Sequence, residues 1–462
     1  MNNTSSLQEN LIDDNQIKGF LNGFFQNIGL SGILRSLGFY KQTGVPVLRV
    51  FQLIFALIFS HKNWWRTCKD SDNPEDIGKD VVYRFLNHEY YNWENLLLRV
   101  SVKIIFYFKK LTSAKRKCAL VFDDTFFDRM RSKSVELLSW LFDHVDMKNK
   151  KGFMNLTGGW TDGFSFIPFI FQLVCSSKEK NILKQAQPVR KESVADIRRK
   201  NAKRKKTELM IEMVEKAISH KIPFSFVLFD SWFAFPSIFI QLNQLQTNAI
   251  AMLKDHPKIF YYYRGRSFRL GTLYSQVKKR LKKDRDCVSV KVKISSQGKT
   301  INAKILFIRD KRAKRNWLAL LSTNTDLSDD EIIQLYGMRW NIEVFFKMCK
   351  SYLKFAKEFQ GRSYDMLVAH TVIVYLRYIM FSLSSRLATD EKSFGDCFYE
   401  CCDEVKTITF WESFNLILKL LKEFLQEKFL LAEEEVATLL NEFIASLPTH
   451  LINNLLIKKC ES

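Results

Sequence analysis

Asp123 and Asp124 follow the apolar run CALVF, and Asp230 follows the apolar run FSFVLF. Runs of this kind predict buried strands, and an aspartate where such a strand leaves the core projects from the end of the sheet. Open α/β folds gather their active sites there. Two strands ending this way can bring carboxylates together despite the 107 residues from Asp123 to Asp230. Clustered carboxylates repel one another unless a cation neutralises them, and hard oxygen donors suit magnesium. Taken singly, each aspartate is better explained as opening a turn after its strand.

A second group alters that balance. Tyr336, Arg339, Glu343 and Lys350 lie 0, 3, 7 and 14 residues along a stretch with helical periodicity. At about 100° per residue, all four fall within about 60° on one face of a single helix. A lone acid among a Tyr, an Arg and a Lys is an odd composition for a stripe that packs on a core. It suits a face that meets a metal and a phosphate backbone together. The ordinary alternative is a solvated charged face held by local ion pairs.

The elements that must position these residues can be read from the periodicity. From about residue 16 to 112, apolar residues recur at three- and four-residue steps, through GFLNGFFQNIGLSGILRSLGF, VLRVFQLIFALIF and YYNWENLLLRVSVKIIFYFKKL, and predict helices. Trp64, Trp65 and Arg66 stand out there, but an aromatic pair on a helix is more often core. Beyond the basic SAKRK come short apolar or alternating runs, CALVFDD, LTGGWTDGFSFIPFIFQLVCS, FSFVLFD and TNAIAML. A basic loop running into a helix, Val189 to His220, separates the second from the third. This alternation predicts an α/β domain with a mixed sheet. SFRLGTLY, CVSVKVKI, INAKILFI and NWLALLST then predict a β-rich stretch, and helix returns after Leu327, with Ser328 as its cap. The implied organisation is a helical region over 1–112, an α/β core over 113–257, a β-rich insertion over 258–326, the helix bearing Glu343 over 327–365, and a helical region over 366–462.

Charge narrows the choice of partner. Lys and Arg total 71 against 49 acidic residues, a formal net charge of +22, which points to a polyanion such as nucleic acid. Arg198, Arg199, Lys203, Arg204 and Lys205, with Lys278, Lys279 and Arg280, are candidates for sequence-neutral phosphate contacts; each run reads equally well as a solvated loop. The 9 cysteines are scattered with no paired CxxC units, which predicts a reducing cytoplasm rather than a disulfide or zinc framework. The N-terminus lacks the basic start and apolar core of a secretion signal. The most apolar windows, Val47 to Phe59 and Val368 to Leu383, are interrupted by Arg49 and Arg377, so they read as buried helices and no membrane is expected as a partner.

The spacing of Tyr336, Arg339, Glu343 and Lys350 resembles the Y-R-E-K signature of one group of bacterial insertion-sequence DDE transposases, the insertion sequence four family. VFDDT resembles the first catalytic strand of that family, LFDSWF its second, and YGMRWNIEVFFK its third region. The likeness covers about 110 to 355. It implies an RNase H-like catalytic core with a DDE triad of Asp123, Asp230 and Glu343, Asp124 competing with Asp123 as the first ligand. It implies two magnesium ions, with manganese as a substitute, and phosphate contacts from Tyr336, Arg339 and Lys350. The 113 residues from Asp230 to Glu343 exceed a minimal core, and their β-rich interior resembles the insertion domain of this group. Trp317 then matches the position of a ring that stacks on a flipped base, although a core Trp on a strand explains it as well.

The activity implied is cut-and-paste transposition: strand cleavage and strand transfer at terminal inverted repeats, on double-stranded DNA of the bacterial nucleoid, by a homodimer paired through the C-terminal helices. Three competitors are a nuclease that cuts without joining, a DNA-binding relic, and a carboxylate-pair glycosidase. The last has no use for the positive charge or for the Tyr-Arg-Lys face.

Overall fold

The computed structural model describes residues 20–60, 64–68, 77–278, 287–309, 317–359 and 361–387, with shorter pieces between 398 and 446. The chain divides into two compact units. One comprises Met1–Asn27, Phe59–Lys62 and Gly395–Ser462, and the other Ile28–Ile58 and Asn63–Phe394. In the first unit, Leu418, Val436 and Leu440 are buried beside Phe414, Leu421, Leu425 and Ile444. The candidate site lies in the second.

The N-terminal helices form as the periodicity predicts: α1 (Phe20–Ile28), α2 (Leu30–Ser36), α3 (Val47–Ala56), α4 (Trp64–Thr67), α5 (Lys79–Leu86) and α6 (Trp93–Leu111). Asn92 caps α6 by accepting from the Asn95 amide at 2.9 Å, and the helix buries Leu96, Leu97, Val100, Ile104, Ile105 and Phe108. Trp64 is buried and donates its indole N–H to the Lys79 carbonyl at 3.1 Å, a core role.

Six strands make the core: β1 (Ala119–Asp128), β2 (Ser139–Asp143), β3 (Lys148–Thr161), β4 (Phe166–Val174), β5 (Phe226–Phe229) and β6 (Asn248–Leu253). β3 carries β1 on one edge, with β2 and β4 on the other, all antiparallel. β5 adds to the far side of β1 in parallel, and β6 to β5 in parallel. The run β4-β3-β1-β5-β6, an antiparallel meander followed by parallel strands, is consistent with the RNase H-like core expected. Gly158 and Gly159 make it possible for β3 to sit this close to its neighbours. A Cβ on Gly158 would come within 2.5 Å of the Phe122 ring, and one on Gly159 within 2.0 Å of Phe166.

β4 leads to β5 through α7 (Val194–Ala202) and α8 (Lys206–Ser219), and β5 to β6 through α9 (Pro236–Gln244). The basic segment from Val189 is a short loop running into helix, as expected, with the helix in two pieces. Ser193 caps α7 by accepting from the Asp196 amide at 3.2 Å, and Ala195 and Ala202 are buried.

The insertion holds β7 (Tyr261–Tyr263), β8 (Arg266–Phe268), α10 (Leu270–Val277), β9 (Cys287–Ser296), β10 (Lys299–Arg309) and β11 (Trp317–Ser322). SFRLGTLY, expected to be strand throughout, turns helical at Leu270, because Leu270, Leu273 and Val277 are buried at helical steps. β11 pairs antiparallel with β6, so the insertion extends the central sheet, which among the described residues has 11 strands.

Three helices complete the unit: α11 (Asp329–Gly337), α12 (Trp340–Ser351) and α13 (Tyr364–Leu387). α13 is buried along most of its length, with Arg377 inside it forming a two-pronged pair with Glu358 at 2.6 and 2.9 Å. The same guanidinium donates to the carbonyls of Ile54 and Phe55, which accounts for a charge within so apolar a helix. A last helix, α14 (Glu433–Ser446), belongs to the first unit.

Candidate active site

β1 does not end at its aspartates. It continues to Asp128, still paired with β3, while its parallel pairing with β5 stops at Phe122 opposite Phe229. Asp123 is therefore the first residue of β1 beyond the end of β5, and Asp230 is the residue that follows β5. The two adjacent strands deliver the two carboxylates to one place because β5 stops, not because β1 does. Asp230 is held by the Trp232 amide, which donates to its Oδ1 at 2.9 Å; the Asp124 amide likewise donates to Asp123 Oδ1 at 2.8 Å.

Burial first, then the neighbouring charge of Asp230, pushes the Asp123 carboxyl up to about 7, against the pull of Arg339. Asp230 is also raised, again by burial first and with Asp124 adding to it. Two acids with raised carboxyl pKa values at one sheet end are the pattern that functional sites show.

Tyr336, Arg339, Glu343 and Lys350 do not share one helix. α11 ends at Gly337 and α12 starts at Trp340, and across the join the amides of Met338, Arg339, Asn341 and Ile342 reach back only three residues. The tightened turn leaves Tyr336 on α11, Arg339 at the join, and Glu343 and Lys350 on α12. Ser328 caps α11 as expected, in a reciprocal box with Glu331.

Tyr336, Arg339 and Glu343 nonetheless gather beside the aspartates, while Lys350 reaches β1 at Thr125. Arg339 donates to Asp123 Oδ2 at 2.9 Å and, through its other terminal nitrogen, to Glu343. One guanidinium thus bridges the first and third acids. Tyr336 lies beside it, with the Arg339 guanidinium 5.8 Å from the ring centre; its hydroxyl is buried with no hydrogen-bond partner. Burial pushes that hydroxyl up to about 12, opposed by Arg339 and reinforced by Asp230 and Asp123. Lys350 donates to Thr125 Oγ1 at 2.5 Å, and burial lowers its pKa.

Asp124 is held differently: its carboxylate pairs with Lys206. Lys206 closes the basic run that begins at Arg198, at the start of α8, and the sequence offered that run for phosphate contacts rather than for pairing with a carboxylate. Its Nζ also sits 5.2 Å from the Trp232 ring centre and 5.8 Å from that of Phe233.

The other predicted residues lie apart from this cluster. Arg198 and Arg199 are buried, Arg198 2% exposed, and their guanidiniums are saturated by Glu94, Glu136 and Asp365, so they form no part of an exposed basic surface. Lys203 pairs with Glu179 at 2.9 Å and Arg204 with Glu212. Lys205 is exposed, with Glu208 at 3.7 Å, and Lys278 is exposed just past α10. Lys279 and Arg280 lie outside the described residues. Trp317 is half-buried; Tyr274 stacks on its ring at 4.7 Å and Phe307 meets it edge-on at 5.4 Å.

Residues 71–267, which include Asp123 and Asp230, match the family described as DDE superfamily endonuclease. Residues 189–380, which include Asp230, Tyr336, Arg339, Glu343 and Lys350, match the transposase DDE domain. The chain belongs to the DDE transposase and endonuclease superfamily. None of the curated proteins matches it.

DDE enzymes depend on divalent metal, which their carboxylates hold. Among the described residues of this DDE chain, no three His, Cys, Asp or Glu side chains are grouped closely enough to share an ion. The donor chemistry fits a hard cation all the same. Asp123 and Asp230 are oxygen donors whose mutual repulsion a cation would relieve, and Glu343 stands one guanidinium away, with Arg339 supplying positive charge between it and Asp123.

Proposed function

We propose that this chain is a cut-and-paste transposase of the insertion-sequence group with the Tyr-Arg-Glu-Lys signature, cleaving and joining DNA at the terminal inverted repeats of its own element. The observation that carries the reading is the bridge by Arg339 from Asp123 to Glu343, at the sheet end that also holds Asp230. Asp123, Asp230 and Glu343 would hold divalent metal, two magnesium ions that manganese can replace. When bound, that metal supplies activation of water or a 3′-hydroxyl and stabilisation of the leaving oxygen.

The side chains around the acids supply the rest. Arg339 balances two carboxylates, and its planar fork matches phosphate oxygens equally well, so it orients the scissile phosphate against the acids. Tyr336, buried with an unpartnered hydroxyl and kept protonated, offers a hydrogen bond to a phosphate oxygen. Lys350 adds positive charge from the α12 side. Asp123 is the first ligand in this reading because it is the acid on Arg339, whereas Asp124 is neutralised by Lys206. The N-terminal helices read the repeats, and the C-terminal region pairs two protomers in a bacterial cytoplasm.

The test uses duplexes copied from the DNA that flanks the gene, incubated with the protein, magnesium and a supercoiled plasmid. Products joined to the plasmid through the 3′ end of the duplex are expected. Cleavage without joining would establish a nuclease instead, and binding without cleavage a DNA-binding relic.

A further inference from the structure

A β-strand turns successive side chains to opposite faces of its sheet, so adjacent acids on one strand address different faces. β1 does this at Asp123, Asp124 and Thr125, which stay in register with Thr157, Leu156 and Asn155 of β3. Asp123 and Thr125 turn toward the α11–α12 side, where they meet Arg339 and Lys350. Asp124 turns the other way and meets Lys206, from the start of α8. Asp230, just past the end of the β1–β5 pairing, is neighbour to both: its charge acts on Asp123, and the charge of Asp124 acts on it. β1 thus offers two carboxylates, one per face, that Asp230 can complete as a pair.

Lys206 stands where a lysine is otherwise disfavoured. It is the first residue of α8, at the end of the helix that carries partial positive charge, so a cation there needs a compensating partner. The partner is Asp124, and the pair is largely withdrawn from solvent, with side chains 17% and 14% exposed. The same ammonium lies against the rings of Trp232 and Phe233. Both rings belong to the segment after Asp230, which the Trp232 amide ties to that acid at 2.9 Å. The start of α8, β1 and the segment past β5 therefore meet at one charged atom. Two rings alone would accept an apolar side chain; the ammonium answers Asp124.

We propose that Lys206 selects the face of β1 at which the divalent cation binds, by occupying Asp124 and leaving Asp123 to act with Asp230. The proposal rests on the metal-dependent reading above. Lys206 is a positioning residue that acts through Asp124. A carboxylate paired with a withdrawn ammonium is a poor ligand, because a cation that took it would strand the ammonium without its partner. On the other face, the Arg339 guanidinium that Asp123 would release has phosphate oxygens to turn to. A cation held between Asp124 and Asp230 would lie on the far side of β1 from Arg339 and Glu343, away from the third acid. Removing the Lys206 charge therefore frees a second, unproductive carboxylate pair.

The experiment measures manganese binding to the full-length protein without DNA, from the paramagnetic resonance signal of the free ion, and cleavage of the flanking-DNA duplexes alongside. Lys206→Met keeps the apolar contact with the rings and removes the charge. It is expected to bind manganese roughly tenfold more tightly than wild type, because a further carboxylate is free, and yet to cleave about tenfold more slowly. Adding Asp124→Asn to Lys206→Met is expected to return both quantities toward wild type, and Asp124→Asn alone to keep wild-type manganese affinity. Lys206→Gln carries the same prediction as Lys206→Met and replaces it should that variant fail to fold. Unchanged manganese affinity on loss of the lysine charge, or a cleavage defect that Asp124→Asn does not restore, overturns the selecting role while leaving the metal-dependent reading in place. Loss of manganese binding in Asp124→Asn alone overturns it as well, by making Asp124 the ligand. Failure of the wild type to bind manganese overturns both.

Discussion

Two clusters in the α/β unit combine arginine with carboxylates, and they serve opposite ends. Around Arg198 and Arg199, the acids Glu94, Glu136 and Asp365 surround two guanidiniums and leave them almost no contact with solvent. Around Arg339 one guanidinium serves Asp123 and Glu343 while Asp230 stands alongside, and the Glu343 side chain is 35% exposed. The first cluster is closed and joins α7 to α6, α13 and the segment before β2. The second is short of positive charge, which in the proposed function leaves it fit to take a cation and a phosphate. Saturation, not composition, separates a structural ion pair from a reactive one.

The largest effect on stability is expected in the closed cluster. Arg198→Ala strands Glu94 without its partner and leaves the buried Asp365 with Arg199 alone, which should cost roughly 3–5 kcal/mol, read as a lowered denaturant midpoint. A loss below about 1 kcal/mol would mean that the network contributes little and that the contrast with the open site is false.

The open site should show the reverse behaviour with pH. Asp123 has a carboxyl pKa raised from 3.8 to about 7 in the folded protein. Its contribution to stability is complete below about pH 4 and is lost as pH rises through 7, because the folded state holds the proton more tightly than the unfolded chain. The metal-free protein should therefore lose on the order of 2–4 kcal/mol over that window from this group. Asp123→Asn should remove the loss and be the more stable protein at pH 8. Denaturant titrations of both proteins at pH 5 and pH 8 measure it, and parallel pH profiles would contradict the assignment.

The smallest effect is expected at the exposed end of the basic run. Lys205→Ala should leave stability within about 0.5 kcal/mol of wild type. It should also lower the slope of log affinity for DNA against log salt by about 1, as one fewer phosphate contact requires. An unchanged slope would remove Lys205 from the DNA-binding surface.

Part of this contrast is legible in the sequence. Apolar runs ending in Asp123 and Asp230 announce strands that deliver acids, and the adjacent parallel pairing of β1 and β5 realises that. The fates of Arg198 and Arg199 are not legible, because their partners lie 63 to 167 residues away and a run of charges does not reveal which members will be buried. The break between α11 and α12 escapes for another reason. A tightened turn costs only a small rotation, so a 3.6-residue pattern passes through it almost unchanged. Lys206 is legible only as the end of a basic run, since its partner Asp124 lies 82 residues earlier in the chain.

The central claim is that Asp123, Asp230 and Glu343 act as one metal-dependent site. Its most direct test is strand cleavage of the flanking-DNA duplexes in magnesium, with wild type and Glu343→Gln run side by side on a denaturing gel. Cuts at the element boundary that need magnesium and vanish in Glu343→Gln, with duplex binding retained, are the predicted result. Cuts that survive the substitution would contradict it.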